Sequence, residues 1–309
     1  MTSIYQEYSL VGGNVVPVAV QCVCSYTVYT SRNQEFVVQF RLKSFALDLE
    51  TVSFHGQLGG EADANGKEPL CIYVMTRIPG ISYLDFVLSH DIPDNSPEWF
   101  TWRDSLLADM ARLVLCYIME TPANCVPRRP PIKMRERTEI IALPARFRPF
   151  IEWSLDSIPA IFSLPMVLLH RDFGDCNIIV DNVSCRLIGV VGWAEAEIGS
   201  FGLNLHSIET PFTSKFHLKN GWTRYDNYHI LQGIFWSGFR REVGGLSADT
   251  IQVIHSVMVM RLLLSAGFTS RLANMPEPKP IQDNESGAYS LLDLDRLLLN
   301  HATRVVHLA

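Results

Sequence analysis

One stretch, Leu168 to Leu205, restricts the fold more than any other; it reads LLHRDFGDCNIIVDNVSCRLIGVVGWAEAEIGSFGLNL. Two short apolar runs within it, Ile178–Val180 and Leu187–Val191, flank Asp181-Asn182-Val183-Ser184, a turn-forming tetrapeptide. The segment therefore predicts a β-hairpin. Just ahead of the hairpin a carboxylate, Asp172, precedes an amide, Asn177, by five residues. A loop of that length places a proton acceptor and a neutral oxygen donor within reach of one small group.

The residues on either side predict different kinds of structure. Val16–Thr30 and Glu35–Leu42 are β-rich and flank Ser31-Arg32-Asn33, as in a hairpin. A short helix is expected over Phe45–Phe54, then a loop rich in Gly, Asp and Asn over Gly59–Gly66, then an apolar strand, Leu70–Met75. Pro79-Gly80 is the expected change of lobe, giving a β-rich lobe over 1–79 and a helical lobe over 80–309. Beyond it, Ser96-Pro97-Glu98 supplies a helix cap, a proline at the first helical position and an early acid. Leu106, Leu107, Met110, Leu113, Val114 and Tyr117 follow at helical spacing. Further helices are expected near 133–158, 223–242 and 247–266. A small β-rich lobe followed by helices that enclose a hairpin is an α+β arrangement.

With 309 residues, the chain is long enough for two modest domains. Its net charge of −6 argues against nucleic acid as the main partner, since phosphate backbones need a basic face; a neutral or cationic small molecule suits it better. The N-terminus has no basic stretch leading into an apolar run, so a secretory signal is not expected. The apolar segment Ile251–Leu264 is interrupted by Gln252, His255 and Arg261 and predicts a core helix, not a bilayer span. The seven scattered cysteines suit reduced thiols in a cytoplasmic protein. Trp193, Trp222 and Trp236 are read as core or pocket-wall aromatics, and His206, His229 and His255 as structural or surface residues. The basic run Arg128–Arg137 is read as a solvated loop entering a helix.

His170-Arg171-Asp172 with Asn177 satisfies H-R-D-x-x-x-x-N, the catalytic-loop pattern of kinases. Asp172-Phe173-Gly174 spells D-F-G but occupies the catalytic loop, whereas a metal-binding aspartate belongs after the hairpin. The string resembles the aminoglycoside phosphotransferase and choline kinase-like superfamily, in which the hairpin ends in a hydrophobic-D-W. It is most similar to fungal proteins carrying that domain, which share D-W-A-E-A-E-I-G and F-G-L-N-L-H-S. Val37–Arg41, Arg77–Gly80, Leu84–Phe86 and Gly267–Leu272 extend the resemblance over most of the chain.

The resemblance implies a two-lobed protein-kinase-like fold, ATP and magnesium as cofactors, and a small-molecule substrate, with no nucleic acid and no membrane. It implies Asp172 as catalytic base beside His170, and Asn177 as a magnesium ligand. Arg41 is the candidate phosphate-holding cation, Glu50 its candidate partner, and the strand carrying Tyr73, Met75 and Arg77 the expected seat of adenine. Val190-Val191-Gly192-Trp193 departs from the pattern, because glycine stands where the principal metal aspartate is expected. Asp175, inside the catalytic loop, is the candidate substitute ligand. The strand has no lysine, and Gln21–Ser25, matching the family's glycine turn, has no glycine.

Two functions remain open at this level. One is ATP-dependent phosphorylation of a metabolite hydroxyl. The other is a kinase fold that has lost phosphoryl transfer, needs no cofactor, and either binds a small molecule or performs metal-independent acid/base chemistry such as isomerisation or cyclisation.

Overall fold

The computed structural model describes residues 15–19, 21–22, 24–47, 57–59, 69–120, 139–217, 221–269 and 277–305. The chain divides into two compact units, Met1–Pro79 and Gly80–Ala309.

The first unit is built on an antiparallel five-stranded sheet in the order β1-β2-β3-β5-β4, comprising Val16–Pro17, Tyr26–Thr30, Phe36–Leu42, Leu70–Thr76 and Gln57–Gly59 respectively. β2 and β3 are rich in aromatic and β-branched residues, which suit a pleated surface, and pair from Tyr26 opposite Phe40 to Thr30 opposite Phe36. The turn between them needs left-handed backbone at Ser31 (φ 90°) and Gln34 (φ 55°). The Ser31 hydroxyl supports it by accepting from the Glu35 amide at 2.9 Å. The helix expected from Phe45 onward begins instead as a 3₁₀ turn, Lys43–Phe45, and residues 48–54 lie outside the described ones. β4 was not expected: too short to show a period, it pairs through Leu58 opposite Ile72.

The second unit is mainly helical around one apolar core. The helix Pro97–Glu120 starts where expected, with the Ser96 hydroxyl accepting from the Trp99 amide at 3.2 Å. It packs against the helix Tyr228–Glu242, closely enough that a Cβ on Gly238 would lie 3.2 Å from that of Ala111. Residues 139–158 do not form one helix. Pro144 interrupts the pattern before a 3₁₀ turn, Ala145–Phe147, and Pro149 and Pro159 stand in the first turns of two short helices, Arg148–Asp156 and Ile158–Ile161. Residues 223–224, at the start of the helix expected near 223–242, belong instead to the strand Gly221–Arg224, which pairs with Ser214–His217. The helix Ala248–Ala266 is long and apolar enough to cross a membrane by length and composition. Its Ile254, Val257, Val259, Met260 and Leu263 are wholly buried in the core.

Three short strands, β6 (Ile81–Ser82), β8 (Ile178–Val180) and β9 (Leu187–Val190), form an antiparallel sheet that carries the expected hairpin. Gly80 (φ 130°) lies against β8, where a Cβ would approach the Val180 carbonyl oxygen to 2.6 Å. Ser82 then caps the helix Tyr83–Ser89 by accepting from the Asp85 amide at 3.0 Å. β7 (Met166–Leu169) pairs with β10 (Glu197–Ser200), from Leu169 opposite Glu197 to Met166 opposite Ser200.

The hairpin turn is tied by Asp181, which accepts from the Ser184 amide at 2.8 Å, the Ser184 hydroxyl at 2.7 Å and the Val183 amide at 3.2 Å. The Ser184 bonds hold its carboxyl below the ordinary 3.8. A depressed carboxylate contributes stability above its unfolded pKa and loses it as pH falls through the folded value. Asp181→Ala should therefore speed amide exchange at Val183 and Ser184 at neutral pH, and the difference from the parent should disappear as the pH falls through the depressed folded pKa of Asp181.

Candidate active site

β7 delivers the chain directly into the loop that carries His170, Asp172 and Asn177. His170 is completely buried; its Nε2 lies 2.6 Å from the Val191 carbonyl and donates to it, and its ring meets Trp193 edge-on at 4.7 Å. Burial holds its pKa below the ordinary 6.5, although the Val191 carbonyl and Asp172 pull it up. His170 thus braces the loop against the end of β9 and stays out of solvent. Arg171 adopts left-handed backbone (φ 68°), pairs with Glu197, and its carbonyl accepts from Arg261 Nη2 at 3.4 Å. This reversal buries Phe173 and leaves the Asp172 side chain exposed. The D-F-G string is thus a packing device: Phe173 lies 6.1 Å from Phe212, within the core.

Asn177 faces back onto Asp172. Its Nδ2 donates to the Asp172 carbonyl at 2.8 Å and to the carboxylate Oδ2 at 3.0 Å, and the Asn177 carbonyl accepts from the Val191 amide at 2.9 Å. Gly192 follows with φ 85° and ψ 27°. A Cβ there would stand 2.5 Å from Asn177 Oδ1 and 2.9 Å from Cγ. The Asn177 carboxamide thus fills the volume that a side chain at 192 would need. Asp175, the proposed substitute ligand, accepts from the Cys176 amide at 3.0 Å, and its carbonyl accepts from the Leu84 amide at 3.2 Å.

These groups do not fit magnesium. The ion takes hard oxygen donors in octahedral geometry and commonly one or two carboxylates. Gly192 supplies no donor, Asp172 is engaged by Asn177 Nδ2, and Asp175 is engaged by the Cys176 amide.

In the first unit, Arg41, Tyr73 and Met75 share one face of the sheet, since Arg41 stands opposite Cys71, Gln39 opposite Tyr73 and Val37 opposite Met75. Arg41 is buried and donates to the Phe45 carbonyl at 3.1 Å. Tyr73 is wholly buried, with its hydroxyl accepting from the Leu47 amide at 2.9 Å. Arg77 lies past the strand end, over the Tyr29 ring at 4.1 Å, and donates to Gln34 at 2.9 Å. Glu50 lies outside the described residues.

Arg261 was noted in the sequence only as an interruption of an apolar run; that charge inside a core helix was the sign of its buttressing role. Behind the loop, Val167, Leu169, Phe173, Phe201 and Leu205 line an apolar cavity of about 20 Å³, near the least that holds a water molecule. His206 lies close by, its Nδ1 donating to the Leu203 carbonyl at 2.9 Å. Burial, with the Arg261 charge behind it, lowers its pKa to about 3. A histidine neutral when folded and ordinary when unfolded gives full stability above the unfolded pKa of 6.5 and loses it as pH falls toward the folded value. Urea midpoints should therefore fall as pH drops below about 6.5, and His206→Gln should flatten that slope.

Residues 56–205 match the model of the phosphotransferase enzyme family. No curated protein matches the chain. Among solved structures, a protein from Ralstonia eutropha described as an aminoglycoside phosphotransferase superposes with a TM-score of 0.55 at 11% identity, over 85% of this chain and 87% of its own. A mutant aminoglycoside 2′-phosphotransferase IIIa, solved with GDP, gives 0.52 at 13% identity, over 86% and 88%. The fold is that of the aminoglycoside phosphotransferases. On that fold, the Asn177 carboxamide lies beside Gly192 and donates to Asp172.

Proposed function

We propose that this chain acts on a small molecule through Asp172 by acid/base chemistry that needs neither magnesium nor nucleotide, such as an isomerisation or cyclisation, in the cytoplasm. The observation carrying this reading is the Asn177 carboxamide, which holds Asp172 at 3.0 Å and fills the space beside Gly192. Asp172 is exposed and oriented, as a proton acceptor must be. His170 and Arg171 fix the loop on which it stands.

ATP-dependent phosphorylation of a metabolite hydroxyl is the second reading. It is favoured by the family match over residues 56–205 and by the intact pairing of Asp172 with Asn177. It asks the site to stabilise transferring charge without a metal carboxylate, a deficit of about 3 kcal/mol if one strong electrostatic group is missing. Calorimetric titration of Mg-ATP into the purified protein separates the two. The proposal expects no magnesium-dependent binding; micromolar, magnesium-dependent affinity would sink it and establish the second reading.

A further inference from the structure

The sheet of β6, β8 and β9 has one face in the core and one turned outward. Ile178, Val180 and Val190 are buried on the first. Ile179 points the other way, as strand alternation requires. Opposite it the ladder slips: Ile179 pairs with Gly189 but Val180 pairs with Leu187, so Ile188 is an extra residue in β9. Such a bulge re-aims a side chain, and Ile188 is 41% exposed. A Cβ on Gly80 would lie 2.9 Å from Ile179 Cγ2 and 3.0 Å from Ile188 Cδ1, so the two isoleucine side chains converge on one spot. Gly189 adds no side chain beside them. The result is an apolar shelf with glycine at two of its edges.

The shelf is continuous with Asp172. The ladder runs one pair beyond β8, since the Val191 amide donates to the Asn177 carbonyl at 2.9 Å. Asn177 and Ile179, two residues apart, therefore share the outward face. The Asn177 carboxamide donates to the Asp172 carboxylate at 3.0 Å. Two residues of extended chain span about 7 Å, so a molecule that lies from the shelf to Asp172 must be about 7–10 Å long. Fused rings have that length. Charge narrows the class further. Arg171, the arginine of this loop, is paired with Glu197, whereas Asp172 is exposed. An anionic ligand would face a carboxylate, and an apolar shelf gives a charged group nothing in place of its hydration.

We propose that this shelf holds the apolar part of the substrate, and that the substrate is an uncharged compound of fused rings whose hydroxyl or ketone end reaches Asp172. The inference rests on the acid/base reading of Asp172 for the reacting end, while the shelf stands on its own geometry. From a ketone, Asp172 takes a proton on the carbon beside the carbonyl. The C–H bond breaks, its electron pair passes to the carbonyl oxygen as an enolate, and proton return from the same carboxyl restores the ketone.

The test titrates 2-tetralone, a bicyclic ketone, into the full chain by calorimetry, with acetone as the ketone that lacks the rings. Saturable binding of 2-tetralone and none of acetone is the expected result. Ile188→Ser, at an exposed position, should weaken that binding about fivefold to tenfold, as loss of about 40–55 Å² of apolar contact would. Ile179→Ser should do the same and serves if the first variant does not fold. Deuterium uptake from heavy water beside the carbonyl, followed by NMR, reads the reacting end. It should outrun the uptake in buffer, and Asp172→Asn should end the acceleration while 2-tetralone still binds. Binding that fails in the isoleucine variants, with no accelerated uptake in the parent, upholds the shelf and sinks the acid/base reading. No saturable binding up to millimolar 2-tetralone, or binding undiminished in both isoleucine variants, overturns the shelf. Adenosine binding that is tighter than that of 2-tetralone and fails in the same variants overturns it too, and makes it a nucleoside seat.

Discussion

Replacing Gly192 by aspartate is expected to destabilise the protein by about 2–3 kcal/mol and to create no metal site. Left-handed backbone costs most residues with a Cβ about 1–2 kcal/mol and aspartate less, because its short polar side chain can hydrogen-bond locally, and Gly192 sits at φ 85°. The new Cβ would also meet Asn177 Oδ1 at 2.5 Å. To make room, Asn177 must release its bonds to the Asp172 carbonyl and carboxylate, worth about 1 kcal/mol each net. Urea denaturation should show the loss, and Mg-ATP titration should show no gain. Adding Asn177→Ala removes the obstruction, so the double variant should be more stable than the sum of the two single effects, by about 1 kcal/mol. Tight magnesium-dependent ATP binding by the single Gly192→Asp variant would show that the carboxamide yields readily and that the site is merely unfurnished.

The second large effect is expected at the buried pair Glu209–Arg224. The two side chains are 5% and 8% exposed, so solvent screens them little. Arg224 Nη1 lies 2.9 Å from Glu209 Oε2, while Nη2 donates to the Thr303 carbonyl at 2.6 Å. Tyr228 and Gln232 donate to the same carboxylate at 3.2 and 2.7 Å. Arg224→Ala leaves that carboxylate buried without its cation and should cost about 3–5 kcal/mol. The paired replacement Glu209→Leu with Arg224→Met removes both charges and should recover much of the loss. A cost below about 1 kcal/mol for Arg224→Ala, the range of exposed pairs, would mean that water reaches the pair.

The catalytic loop and its hairpin were legible because their chemistry is local. Asp181 and Ser184 can form only a tight turn between two apolar runs, and His170, Asp172 and Asn177 lie within eight positions of one another. The helix start at Pro97 was equally readable from Ser96. What failed was of another kind. The helix expected near 133–158 overlooked Pro144, which breaks it, and Pro149, which starts a separate helix, and the strand Gly221–Arg224 exists only because Ser214–His217 lies beside it. The absence of an aspartate at 192 was visible in the sequence. That an amide fifteen residues earlier fills its volume was not, because it depends on how β8 and β9 lie side by side. That Arg103 is buried gave no signal at all, since a charged residue on a long helix ordinarily points to water.

Gly80 and Asp172 are far apart in the chain, yet a short run of stiff links joins them. Gly80 presses on Val180, Ile81 pairs with the same residue, and the Leu84 amide grips the Asp175 carbonyl. A pull on the backbone at residue 80 is therefore resisted by the strand that follows the catalytic loop and by the loop itself. Tension applied there in a single-molecule experiment should reach Asp172 before it reaches the helix Ala248–Ala266, so the Asp172 carboxylate would lose its geometry before the core gives way.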